Sequence, residues 1–157
     1  MAVDIGAEAI NRDSTFTYGN TYVLKEHPST VSDVIISIDI WAQQNIAGLV
    51  VGTFYLTGEN ILKCRDSEAI AGTITAGSKV NKAVSLAVEI GDYIGAYWTA
   101  GVLERSVSGY AGYYIFEGQS IDPDDEETYY NIANSTASLG GYIAAAAAGR
   151  SFGFIFG

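Results

Sequence analysis

The sequence predicts an all-β protein, an antiparallel β-sandwich of jelly-roll-like type with about ten short strands, and three observations point there. Apolar and polar residues alternate with a period of two over several stretches, the spacing at which successive strand side chains leave on opposite sides. Turn signals built on Gly, Asn and Ser recur at short intervals in a chain with only 2 Pro. No segment of convincing length carries the helical period. Many short antiparallel strands in 157 residues must close into a barrel or stack as two sheets, and the mixture of long and short runs favours stacking.

The elements follow in order. Residues 14–24 read as strand, with a turn signal at Gly19-Asn20. In residues 34–40, Val34, Ile36, Ile38 and Ile40 fall on one face, read as the core face, while Ile35, Ser37, Asp39 and Trp41 fall on the other. Strands are expected at 49–56, 61–65 and 71–75, separated by Gly58-Glu59-Asn60 and followed by Ala76-Gly77-Ser78. Val84, Leu86, Val88 and Ile90 alternate with Ala83, Ser85, Ala87 and Glu89, and Gly91-Asp92 then turns the chain into a strand over 93–99. Further strands are expected at 102–105, 110–116, 128–132, 139–147 and 152–156, with turn signals at Ala100-Gly101 and Gly140-Gly141. A helical turn competes only at 3–10 and at the five alanines 144–148, where high helix propensity opposes the flanking Tyr142 and Ile143. There is no internal repeat and no linker, so residues 1–157 read as one domain, with 139–157 as a Gly/Ala/Phe-rich terminal strand segment.

Composition narrows the function classes. Hydrophobic residues make up 48% of the chain, enough for a real core, and 11 Tyr, 2 Trp and 6 Phe exclude a disordered tail. Eight Lys and Arg against 18 Asp and Glu give a net charge of -10, which repels a phosphate backbone, so nucleic acid and anionic membrane are poor partners. One cysteine cannot form an internal disulfide, and one histidine cannot build a multi-histidine metal site. Residues 1–13 carry Asp4 and Glu8 but no basic n-region or apolar h-region, so no signal peptide is read there. The longest apolar run, 142–148, is far short of the roughly 20 residues that span a bilayer.

Each candidate for chemistry has a plain structural alternative. The acidic loop Asp122-Pro123-Asp124-Asp125-Glu126-Glu127 could offer hard oxygen ligands to calcium, chiefly Asp122, Asp124 and Asp125. Counted as an EF-hand, it puts Glu127 at the turn-glycine position and Ala133 at the bidentate-Glu position, so a solvated acidic turn is the favoured reading and no cofactor is expected. Cys64 alternates onto the side of Leu62 and reads as a buried structural thiol, while His27 before Pro28 reads as an exposed loop residue. Asp39, Glu89, Asp92, Glu104 and Glu117 are numerous enough for a glycosidase pair, but no spacing singles one out, and no catalytic residue is assigned.

Aromatic residues are more informative. Tyr93 and Tyr97 alternate away from Ile94, Ala96 and Trp98, and Tyr110, Tyr113 and Tyr114 crowd a glycine-rich segment. Trp41, Tyr97, Tyr110 and Tyr113 are the candidate platforms for a sugar ring or a protein partner, set against ordinary packing on a pleated sheet. The terminus combines Tyr142 with Phe152, Phe154, Ile155 and Phe156 and a single charge, Arg150. Exposed, such a segment aggregates. It either completes its own sandwich or is received by a neighbouring subunit, which makes these five residues the candidate assembly interface.

At Asp4-Ile5-Gly6-Ala7-Glu8-Ala9-Ile10, Gly52-Thr53-Phe54-Tyr55, Cys64-Arg65-Asp66-Ser67, Gly91-Asp92-Tyr93-Ile94-Gly95-Ala96-Tyr97 and Ser108-Gly109-Tyr110-Ala111-Gly112-Tyr113, the chain resembles uncharacterised β-rich proteins of tailed bacteriophages and viral metagenomes. The likeness runs over roughly residues 4–142. It implies a non-enzymatic virion structural or accessory protein, a capsid decoration or tail-associated sandwich, located in the virion and partnered by copies of itself or by capsid or tail proteins. The acidic loop and the Phe-rich terminus depart from that pattern, and the resemblance carries over no functional residue. The alternatives are a carbohydrate-binding or adhesion module and, third, an enzyme acting on polysaccharide.

Overall fold

Alternation over short stretches produces twelve strands, all paired antiparallel: β1 (Ile5–Gly6), β2 (Ser14–Thr17), β3 (Thr21–Leu24), β4 (Asp33–Ala47), β5 (Val50–Gly58), β6 (Ile61–Ala69), β7 (Lys79–Val88), β8 (Tyr93–Tyr97), β9 (Ala100–Phe116), β10 (Glu126–Thr128), β11 (Tyr130–Ala137) and β12 (Leu139–Ile143). The computed structural model describes residues 2–144. One hydrogen-bonded path links the strands and doubles over into two layers. The smaller layer is β1-β12-β4-β7. In the larger, β9 carries β2 and β3 along one edge and β11 and the end of β4 along the other, and the path continues β3-β8-β5-β6-β10. β4 belongs to both layers, pairing β7 up to Trp41 and β9 from Ala42 onward. The predicted all-β antiparallel sandwich is the fold.

Two expected runs divide, and β1 forms where a helical turn competed. The turn at Gly19-Asn20 separates β2 from β3, and the run expected at 128–132 falls across β10 and β11. Conversely, 102–105 and 110–116 are one strand, with irregular register against β11. Gly112, at φ +108°, sits where a Cβ would lie 2.3 Å from the Ile132 carbonyl oxygen, opposite the register shift between Ile132 and Asn134. The expected strand at 71–75 reduces to a single bridge, Ile74 to Ile46. The Gly140-Gly141 signal marks a close approach inside β12: a Cβ on Gly140 would lie 2.5 Å from the Ala7 carbonyl oxygen. The expected strand at 152–156, and all of 139–147 beyond residue 144, lie outside the described residues.

The predicted face of β4 is half right. Ile35, Ile38 and Ile40 are fully buried and Ile36 is 42% exposed, because a bulge at Ile36, seen in the register with β12, switches the parity of the strand. Ile90, also expected in the core, is 70% exposed because β7 ends at Val88.

Two cores result. The main one fills the space between the layers and joins Ile35, Ile38 and Leu86 of the smaller layer to Tyr22, Leu24, Ile94, Trp98 and Leu103 of the larger. Its centre is aromatic: Phe16 stacks on Tyr22 at 4.2 Å, Tyr22 on Trp98 at 5.3 Å, and Tyr113 meets Phe16 edge-on at 4.6 Å. The second lies on the opposite face of the larger layer, where Val23, Phe54, Leu62, Cys64 and Tyr114 are roofed by Ile121 and Tyr129. Gly52 and Gly95 pair directly across β5 and β8 and leave a trough for the Phe54 ring and Ile121.

The free edge of β7 is closed by side chains. Its outward amides at Ser85 and Ala87 donate to Glu68 Oε1 (2.8 Å) and Asp66 Oδ2 (2.9 Å) of β6, and the next, at Glu89, donates to Asp92 Oδ2 (3.0 Å). Thr53 Oγ1 donates to the Ala87 carbonyl oxygen at 2.8 Å. These bonds join the two layers along one side and deny the edge to another strand.

Two tests follow from this packing. Gly95→Ala places a Cβ 2.6 Å from the Tyr22 carbonyl oxygen and 2.8 Å from the Phe54 ring, and a urea titration is expected to show a loss of ~1–3 kcal/mol with unchanged slope. The Asp66→Ala/Glu68→Ala double variant is expected to speed amide exchange selectively at Ser85 and Ala87, while the Leu86 amide, which faces β4, stays protected.

Candidate functional site

The N-terminal arm forms one wall of a concavity. Asp4 and Ala7 amides donate to the Gly141 and Leu139 carbonyl oxygens at 2.8 and 2.9 Å, so the arm lies along β12. Ser138 fastens its far end, donating to the Ile10 carbonyl oxygen at 2.6 Å and accepting Arg12 Nε at 2.7 Å. Between arm, β3–β4 turn and β9 lies a cleft of about 220 Å³, walled by Ala2, Val3, Ala7 and Ile10, closed by Tyr110, and rimmed by Glu8, Arg12, Glu26 and His27.

The polar groups around it are held in place. Besides Ser138, Arg12 donates Nη1 to Ser106 Oγ (2.9 Å) and Nη2 to the Glu8 carbonyl oxygen (2.7 Å), and its guanidinium lies 5.0 Å from the Tyr110 ring centroid. All three acceptors are neutral. Glu26 Oε1 accepts the Ala111 amide at 2.7 Å, which fixes the turn against β9. His27, at φ +44°, places Nδ1 3.2 Å from the Gly6 carbonyl oxygen, and, as expected, its side chain is exposed. The cleft thus offers an apolar floor under a charged rim, an arrangement suited to an apolar side chain flanked by polar groups.

The candidate aromatic platforms are scattered. Tyr110 alone lines the cleft. Tyr113 is 6% exposed within the main aromatic stack, so it cannot serve as a surface platform; β9 turns it inward beside Phe16. Tyr97 is half-buried against the second core, and Trp41 is half-buried on β4 opposite Lys79. Tyr142 donates its hydroxyl to Asp39 Oδ2 at 2.6 Å. Phe152, Phe154, Ile155 and Phe156 lie outside the described residues. Arg12 and Glu26 were not singled out from sequence; the arm entered only as the 4–10 motif and as a place where a helical turn competes.

The acidic loop is a turn with its own internal bonds. The Asp122 amide donates to Asp125 Oδ2 at 3.0 Å, and the Asp125 amide donates to the Asp122 carbonyl oxygen at 2.9 Å. Cys64 and the loop exchange backbone bonds at 2.9 Å, Cys64 N–H to Asp125 and Asp124 N–H to Cys64. Among the described residues, no three His, Cys, Asp or Glu side chains converge to hold a metal ion. The other carboxylates are separately engaged: Asp39 with Tyr142 and Asn81, Glu104 with the Arg12 amide, and Asp92 with both guanidinium nitrogens of Arg65 at 2.6 and 3.0 Å.

The sequence motifs sort into two groups in space. Gly52–Tyr55, Cys64–Ser67 and Gly91–Tyr97 meet in the scaffold, through the Gly52–Gly95 trough, the Arg65–Asp92 pair and the Asp66 bond to β7. Residues 4–10 and 108–113 meet at the cleft, through Ala7, Glu8, Ile10 and Tyr110. No protein-family model matches the chain, and a search of curated proteins finds no match either. No helix among the described residues is long and apolar enough to cross a membrane.

Cys64 is fully buried, as its alternation predicts, and burial, reinforced by the carboxylates of Asp125, Asp66 and Asp122, pushes its thiol up to about 12. Burial likewise raises Tyr129 to about 12. In the unfolded chain these groups ionise near 9 and 10, so above that range the native state holds protons the unfolded state has lost. Their contribution to stability is therefore complete below about pH 9 and declines as pH climbs toward 12. Urea midpoints measured from pH 8 to 11 are expected to fall progressively. A thiol reagent at pH 8 is expected to label no Cys64 in the native protein and one thiol per chain in denaturant.

Proposed function

We propose that this chain is a non-enzymatic virion structural protein, a capsid decoration or tail-associated β-sandwich that assembles with copies of itself or on a phage lattice. The observation that carries this reading is the continuation of β12, held between β1 and β4, into a sequence whose Phe152, Phe154 and Phe156 alternate with Gly153 and Ile155. Three Phe side chains at alternate positions are the apolar area that subunit contacts use. Support also comes from the scaffold motifs, whose charged members Arg65, Asp66 and Asp92 are engaged in holding strands together. The phage resemblance gives the assembly its setting.

Light scattering tests the reading on the full chain. The native protein is expected to form defined oligomers or filaments, and Phe152→Ser/Phe154→Ser/Phe156→Ser to be monomeric with an unchanged β circular-dichroism spectrum. Equal masses for the two proteins would overturn self-assembly through Phe152, Phe154 and Phe156.

A further inference from the structure

We propose that the cleft between the N-terminal arm and Tyr110 receives the Phe-bearing segment 150–156 of a second copy; this deepens the assembly reading and rests on it. Position is the first argument. β12 runs antiparallel to the arm, from Leu139, which bonds Ala7, to Ile143, whose amide donates to Asp4 Oδ2 at 2.8 Å. The chain therefore leaves the described structure beside Val3, a wall of the cleft, with residues 145–157 still to follow. It leaves heading away from Ile10 and Arg12, so its own segment must reverse to enter the far end of the cleft. A neighbouring copy's segment need not.

Chemistry is the second argument. Ala2, Val3, Ala7 and Ile10 form an apolar floor, and Ile10 remains 40% exposed, an aliphatic surface without cover among the described residues. Phe152, Phe154 and Phe156 carry the complementary apolar surface, and Tyr110 offers an aromatic contact for one ring. Charge matches as well. The only charged residue in 139–157 is Arg150, two positions before Phe152, and the cleft rim carries the Glu8 and Glu26 carboxylates against the single guanidinium of Arg12. In a chain of net charge -10, that pairing places the segment's one cation against acidic groups while its rings enter the floor.

Cysteine cross-linking on the full chain tests this, because native Cys64 is fully buried and stays silent. Ile10→Cys and Ile155→Cys proteins are mixed under mild oxidation, with Glu59→Cys in the β5–β6 turn replacing Ile10→Cys as the control. A disulfide-linked dimer at least ten-fold more abundant with Ile10→Cys than with Glu59→Cys supports the proposal. Oligomers in light scattering without that link would overturn the cleft as receptor and leave the assembly reading standing. A link formed only within single chains of the Ile10→Cys/Ile155→Cys double variant would overturn the second copy as occupant. Monomers with no link would overturn both.

Discussion

The fold depends on a seam of carboxylates along β7. A sandwich made from one folded-over path has its layers joined by backbone where β4 crosses between them, and elsewhere something else must hold them in register. Here Glu68, Asp66 and Asp92 each take one outward amide at successive alternate positions, and Thr53 takes the Ala87 carbonyl. Bonds to an ionised acceptor are stronger than neutral ones, and these also occupy the donors a foreign strand would use. Asp92 is itself held by Arg65, whose guanidinium stands 4.3 Å from the Tyr55 ring centroid. One acidic residue in a turn thereby connects β6, the β7–β8 turn and, through Tyr55, β5.

The larger layer is covered on both faces over β3, β8 and β5, and its sequence shows why. In β8, Ile94 and Ala96 face the main core, while Tyr93, Gly95 and Tyr97 face the second. A strand buried on both sides loses the clean alternation of a half-solvated sheet and reads as a nearly continuous apolar run. The residues that roof it, Ile121 and Tyr129, come from the connection between β9 and β11, so the acidic turn is the polar outer surface of an apolar cover.

Much of the fold was legible because period-two alternation reports burial directly. It placed Val84, Leu86 and Val88 inside, Cys64 with Leu62, and Tyr93 and Tyr97 opposite Ile94 and Ala96. It failed where pairing geometry overrides period: the bulge at Ile36 moves the buried set of β4 by one residue, and β9 runs unbroken through Gly109 and Gly112, both at positive φ, where two strands were expected. The cleft was illegible for a different reason. Its lining joins Ala2, Glu26 and Tyr110, far apart in sequence, and only the pairing of the arm with β12 and of β11 with β9 brings them together.

The strap between Ile121 and β10 is held at both ends. On one side of Pro123 the chain is anchored by Ile121 in the second core, and on the other by the paired backbone bonds of Asp124 and Asp125 to Cys64. Pro123 and Asp124 themselves project into solvent. Extra residues inserted between them would open the Asp122–Asp125 turn but begin and end beside anchored backbone, and so transmit little strain to the sheet. The acidic turn is thus a natural place to graft a foreign epitope or tag, which any assembly of this protein would then display once per copy.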